Sequence, residues 1–207
     1  MRDYLSQDVR NLVLLGHAGS GKSALVQAFL YKTGKVDKIV SANSGNSPVD
    51  FEPLEIQRGQ SIYMSLVPIE WRDKKINVID TPGYLDFVSE AISGYSVADN
   101  ALIVVDAKEG VDIGTRTAFS MIEKDNKPTI FFVNKMDDES VSFHKIYEEL
   151  RNEFGGSVIA FEIPIREDGK VIGTINLLSK KVWYYGKPDT PHEVPEAYKD
   201  IVAQYWD

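Results

Sequence analysis

Three short runs of residues could do chemistry in this chain. The first is Gly16-His17-Ala18-Gly19-Ser20-Gly21-Lys22-Ser23-Ala24, which fits Gly-x-x-x-x-Gly-Lys-Ser. It follows an apolar run, Asn11 to Leu15, and opens a stretch with apolar residues at helical spacing (Leu25, Ala28, Phe29). In such a turn successive backbone N–H groups point at a phosphate, and the helix N-terminus adds positive potential. Lys22 would reach the β and γ phosphates, and the Ser23 hydroxyl would ligate Mg²⁺. These residues predict a nucleoside triphosphate site.

The second run is Asn134-Lys135-Met136-Asp137, at the end of the apolar stretch Thr129 to Val133. Open parallel sheets bind ligands outside the carboxyl ends of their strands. A carboxylate at Asp137 can accept hydrogen bonds from guanine N1–H and the 2-amino group. Adenine offers neither arrangement and would leave a charge unpaired. Lys135 could lay its stem on the base, and Asn134 could tie this strand end to the phosphate loop. The third run, Asp80-Thr81-Pro82-Gly83, ends another strand, Ile76 to Ile79. Asp80 would hold Mg²⁺ through a water, and the Gly83 N–H could touch a γ-phosphate. In this order the three runs predict GTP, with Mg²⁺, as the ligand.

Composition bounds the rest. The 207 residues can bury one sizeable α/β core and a small appendage. With 43% apolar and 26% charged residues, the chain is not wholly disordered. No apolar stretch approaches the roughly 18 residues of a membrane span, and the N-terminal apolar run is too short for a signal peptide. Cysteine is absent, which excludes disulfides and Cys-ligated metals. The three histidines, His17, His144 and His192, are too dispersed for a zinc site. A net charge of −8 argues against a DNA binder that relies on bulk positive charge. The expected class is a soluble, cytoplasmic α/β protein.

The elements that must position these runs follow from hydrophobic patterning. Strands are predicted at 11–15, 61–71, 75–79, 101–105 and 129–133, the second and third joined by a turn at Arg72-Asp73-Lys74. Helices are predicted at 23–31, between 83 and 101, between 105 and 129, and after 137. From Thr33 to Gln60 the pattern dissolves into a long irregular segment, of the kind that is functional or disordered. This order predicts a mostly parallel sheet with helices on both faces. After Gly155 the rhythm changes to short strands at 158–164, 171–178 and 181–185 around an Asp168-Gly169 turn. A polar link, Gly186 to Pro195, then precedes a helix from Glu196. The expected division is a core at 1–155 and a small β-rich annex at 156–207.

With these motifs the chain resembles the translational GTPases, most closely the G domain of elongation factor G and its paralogues. The likeness runs through Arg10 to His17, Asp50-Phe51 with Arg58-Gly59, Asp80 to Phe87, Glu109-Gly110-Val111 and Asn134 to Asp137. The annex looks like the insertion of that factor, in Pro164-Ile165, Gly173 and Tyr184-Tyr185. The resemblance implies a P-loop G domain that switches between GTP and GDP and hydrolyses GTP with Mg²⁺ on the ribosome. It implies that Ser61 is a metal ligand in the first switch. It also implies that the chain stops before its G domain is complete, since no guanine-contacting Ser-Ala loop follows the annex.

Three further departures from the family pattern are visible. Arg58-Gly-Gln-Ser-Ile62 replaces the usual Arg-Gly-Ile-Thr-Ile, Gly19 stands where the main factor has an aspartate, and Tyr84 replaces a histidine of the catalytic step. Hydrolysis is therefore expected to be slow. Two other readings stay open at this point: a GTP-binding or ribosome-binding module with little hydrolysis, and a P-loop ATPase or kinase. The Asn134 to Asp137 run weighs against the last.

Overall fold

A computed structural model describes residues 3–40, 49, 52–187 and 190–205. Asp50, Phe51 and the polar run 41–48, part of the segment expected to be irregular, lie outside the described residues. The chain divides into two units: Met1–Asp106 with Asp112–Asn134, and Ala107–Val111 with Lys135–Asp207.

The first unit is built on five strands: β1 (Val9–Leu15), β2 (Ser65–Trp71), β3 (Lys74–Asp80), β4 (Asn100–Asp106) and β5 (Thr129–Asn134). They lie in the order β2-β3-β1-β4-β5. All pairs are parallel except β2 with β3. Val13 to Leu15 and Ala101 to Asp106 are buried at every position. Successive strand residues point to opposite faces, so both faces of these central strands are covered. The covering helices are α1 (Lys22–Lys32), α3 (Val88–Ser96) and α4 (Ile113–Glu123). Leu14, Val26, Leu30, Val49, Val67, Ile69, Val78 and Leu102 form a core cluster between the sheet and α1. Antiparallel β2 is at the edge, where Pro68 removes a ladder donor at little cost. Its turn to β3 has Arg72 and Asp73 both at positive φ, 45° and 63°, the geometry of a two-residue hairpin turn.

Two expectations for this unit need correction. The segment Thr33 to Gln60 is not irregular throughout, because it contains a short helix, α2 (Pro53–Arg58). The strand expected from Ser61 begins only at Ser65. Both differences have one cause in Glu55, whose side chain is only 1% exposed. Its carboxylate accepts the Glu52 N–H at 3.1 Å, half of a reciprocal capping box with Glu52. It also accepts the N–H groups of Ile62 and Tyr63 at 2.9 and 3.0 Å, and Glu90 accepts that of Met64. Backbone donors engaged this way are not available to a strand ladder.

The second unit holds α5 (Phe143–Phe154), the antiparallel sheet β6 (Glu162–Glu167), β7 (Lys170–Asn176), β8 (Lys181–Tyr184) and β9 (His192–Glu193), and α6 (Lys199–Gln204). The two-residue turn at Asp168-Gly169 has φ of 50° and 80° and pairs Glu167 with Lys170. That turn fixes the register, so β6 runs to the turn at 167 rather than ending at 164. Strand β9 lies inside the polar link, Gly186 to Pro195. The helix expected from Glu196 starts as a tighter 3₁₀ turn, Glu196–Tyr198, before α6. Ile163, Ile165, Ile175, Leu177, Val182 and Val202 close a separate core. No helix among the described residues is long and apolar enough to cross a membrane.

Candidate functional site

The phosphate loop lies between β1 and α1, as its pattern predicts, and its backbone is tightly specified. Gly21 caps α1 at a φ of 101°, and a Cβ there would meet Asn134 Nδ2 at 2.2 Å. Only glycine fits both constraints. Asn134 Nδ2 donates to the Ser20 carbonyl at 2.8 Å, so the end of β5 holds the loop from one side. On the other side Gly83 is pressed into the loop. A Cβ on Gly83 would lie 2.5 Å from both Ala18 N and Lys22 Nζ, and 2.6 Å from the carbonyl carbon of His17. The loop and the Asp80 to Gly83 run are thus in van der Waals contact.

Lys22 is only 6% exposed and donates to the Gly16 and His17 carbonyls, at 2.9 Å each. Burial pushes its pKa down to about 8, partly offset by the carboxylates of Asp80 and Asp112. Asp80 is itself buried at the end of β3, and Thr81 Oγ1 donates to the Leu14 carbonyl at 2.6 Å, joining the ends of β3 and β1. Pro82 is buried, and Ser20 is 1% exposed beside the exposed Gly19; Ala24 lies on the exposed side of α1.

The hydroxyls of Ser23 and Ser61 approach to 3.5 Å. They come from α1 and from the turn that Glu55 organises. Two hydroxyls and the Asp80 carboxylate are all oxygen donors, which suits a hard cation such as Mg²⁺. Among the described residues no three His, Asp or Glu side chains cluster as a metal site. A divalent ion here would therefore complete its shell with water and phosphate oxygens. Tyr84 is 44% exposed and borders a small cleft with Leu85, Val88 and Met121.

The first unit therefore brings together residues 16–24, Ser61, Asp80 to Tyr84 and Asn134. Lys135 and Asp137 begin the second unit, directly after Asn134 in the chain. Lys135 has a φ of 61°, and both side chains are exposed. Asp138 next to them folds back as a local cap, accepting the Ser140 N–H at 2.9 Å and its hydroxyl at 2.6 Å. These bonds hold its carboxyl below the usual range, with lesser help from Lys108 and Arg166.

Sequence reading assigned no role to Glu55, Gly114, Glu149 or Arg166. Glu55 was detectable, because Glu52-Pro53-Leu54-Glu55 carries the spacing of a capping box. Gly114 was not: a Cβ there would lie 2.5 Å from the His17 Cα. Glu149 of α5 accepts the Val111 N–H at 2.8 Å across 38 residues of sequence, a contact no local pattern encodes.

Comparison with known proteins bears on this arrangement. Residues 7–201 match the family described as the Elongation factor Tu GTP binding domain. An elongation factor G-like protein of Thermotoga maritima is 38% identical over 199 residues, 96% of this chain and 28% of that protein. A mitochondrial ribosome-releasing factor 2 of Culex quinquefasciatus is 33% identical over 181 residues, 86% of this chain and 24% of its own. A crystal structure of a Thermus thermophilus protein superposes with a TM-score of 0.87 at 31% identity, covering 95% of this chain and 30% of that one. The chain thus spans less than a third of the length of these relatives. It belongs to the elongation factor Tu GTP-binding-domain family, as a GTP-binding domain of the translational GTPases.

Proposed function

We propose that this chain is the guanine-nucleotide switch of an elongation factor G-like protein, and that it hydrolyses GTP to GDP and phosphate with Mg²⁺, on the ribosome and in the cytoplasm. The observation that carries this reading is the meeting of Ser23 and Ser61 at 3.5 Å beside a buried Lys22 and Asp80. Groups from three separate stretches of sequence converge where a phosphate chain would lie. Residues Gly16 to Ala24 bind the phosphates through backbone N–H groups and Lys22. Ser23, Ser61 and, through water, Asp80 would hold the metal ion, which neutralises charge on the β and γ oxygens. The Gly83 N–H would contact a γ-phosphate when one is bound. In the reaction a water oxygen bonds to the γ-phosphorus while the bond to the β–γ bridging oxygen breaks. Tyr84 orients that water through its hydroxyl. Asn134 holds the loop, Lys135 covers the base and Asp137 reads it.

A second reading, a nucleotide-binding module with little turnover, is favoured by one residue. Tyr84 has no group that becomes cationic near neutral pH, so it lacks one way of stabilising transition-state charge.

Asp137→Asn tests the guanine assignment. The Asn carbonyl accepts from N1–H, while its NH₂ meets the 2-amino group of guanine but suits the 2-oxo group of xanthine. Weaker GTP binding and a new preference for xanthosine triphosphate are expected by titration calorimetry. Unchanged GTP affinity without xanthosine preference removes the assignment.

A further inference from the structure

Arg166 lies on β6 of the second unit, where the pairing with β7 shifts between Ile165 and Arg166 and leaves Ile172 of β7 without a partner across the ladder. Here the guanidinium reaches the turn that contains Asp137. Arg166 Nη2 donates to the Met136 carbonyl at 2.5 Å and to the Asp138 carbonyl at 3.3 Å, while Nη1 donates to the Gly169 carbonyl at 2.6 Å. The backbone of Arg166 is pinned too. Its N–H donates to Tyr198 Oη at 3.0 Å, and Tyr198 Oη donates to its carbonyl at 3.1 Å.

Two further contacts fix the same turn. A Cβ on Gly169 would lie 2.9 Å from Glu139 Cδ, so the tip of the β6–β7 hairpin rests on it. Ser140 and Lys108 engage the Asp138 carboxylate. The carbonyls on either side of Asp137 are therefore held by one planar, charged donor, while the Asp137 side chain stays exposed. Such a fork satisfies several acceptors in fixed geometry, which a lysine cannot reproduce.

We propose that Arg166 is a positioning residue for base selection: it sets the backbone on both sides of Asp137 so that the carboxylate meets the two guanine donors together. The proposal rests on the reading of Asp137 given above. A positioned carboxylate gains most from a base that offers both donors, so loosening it should erode discrimination and not merely affinity. The alternative is that Arg166 only fastens a hairpin to a turn. That role would weaken all nucleotides alike.

The test compares GDP with inosine diphosphate, which lacks the 2-amino group, on the intact protein. Inorganic tripolyphosphate reports the phosphate loop alone. For Arg166→Ala, GDP affinity should fall by about tenfold, inosine diphosphate affinity should fall less, and tripolyphosphate affinity should not change. Arg166→Lys should restore part of the lost discrimination. If the alanine variant does not fold, Tyr198→Phe, which frees the Arg166 backbone, should narrow the same ratio to a smaller extent. Parallel losses of both diphosphates, or no loss, overturn the role of Arg166. Asp137→Ala separates the two failures. If it collapses the ratio and Arg166→Ala does not, only the positioning role falls. If it also leaves the ratio intact, the reading of Asp137 falls and the role of Arg166 with it.

Discussion

The side-chain amide of Asn134 donates to the Ser20 carbonyl at 2.8 Å, across 114 residues of sequence. The last residue of β5 thereby holds the phosphate loop, and the chain continues from it into Lys135 and Asp137. A neutral hydrogen bond of this kind contributes about 1 kcal/mol. Because the loop must be preorganised to bind phosphate, most of that energy should appear in nucleotide affinity. Asn134→Ala is expected to weaken GDP and tripolyphosphate together by about five- to tenfold. Calorimetry showing an unchanged tripolyphosphate affinity would mean that the bond does not shape the loop.

Glu55 caps α2 at the Glu52 N–H and ties it to the turn after Ser61 through the N–H groups of Ile62 and Tyr63, all on one buried carboxylate. The apolar neighbours Leu54 and Ile56 are 46% and 43% exposed, so they supply little of this anchoring. Glu55→Gln would turn an NH₂ toward at least one of these N–H groups. A loss of about 1–3 kcal/mol is expected in urea unfolding, together with faster amide exchange at Ile62 and Tyr63. Exchange at those two amides that matches wild type would refute the anchoring.

Lys22 has its pKa pushed down from 10.5 to about 8 by burial. Between those values the folded chain binds fewer protons than the unfolded one, so stability rises with pH across that window. Below about pH 8 the cost of the buried ammonium is fully present; it is relieved as the pH approaches 10.5. The relief amounts to about 3 kcal/mol, an upper figure because the local carbonyls solvate the charge. Lys22→Met has no such group. The stability difference between the two proteins, measured without nucleotide or Mg²⁺, should shift toward wild type over this window. Parallel pH profiles would contradict it.

Tyr84 sits at the start of the 3₁₀ turn Leu85–Phe87, and it is exposed enough to meet a water. Phosphoryl transfer depends on positioning and electrostatics, and imidazole can supply a charge that phenol cannot. Turnover on ribosomes is expected to be lower by about 10²–10⁴-fold than histidine would allow. Tyr84→His in the intact protein should raise it at least about tenfold with GTP affinity unchanged. Brisk wild-type turnover that histidine does not improve would assign the water to another group.

Much of this molecule is local in origin, and local features are what a sequence displays. The phosphate loop needs Gly21 at positive φ and a lysine one residue later, and both requirements are written in adjacent positions. The Asp168-Gly169 turn and the apolar strands β1, β4 and β5 are legible for the same reason, since turn chemistry and burial act over a few residues. The break in rhythm near Gly155 is legible too, yet the compact units part at Asn134 and Lys135, because packing groups α5 with the second core. Tertiary structure alone decided the partners of long-range polar groups: Asn134 with Ser20, Glu55 with Ile62 and Tyr63, Glu149 with Val111, and Arg166 with Met136. A single carboxylate or guanidinium carries no periodicity to mark its acceptor or donor. Its partner is chosen only when folding removes water from both groups and leaves each needing the other.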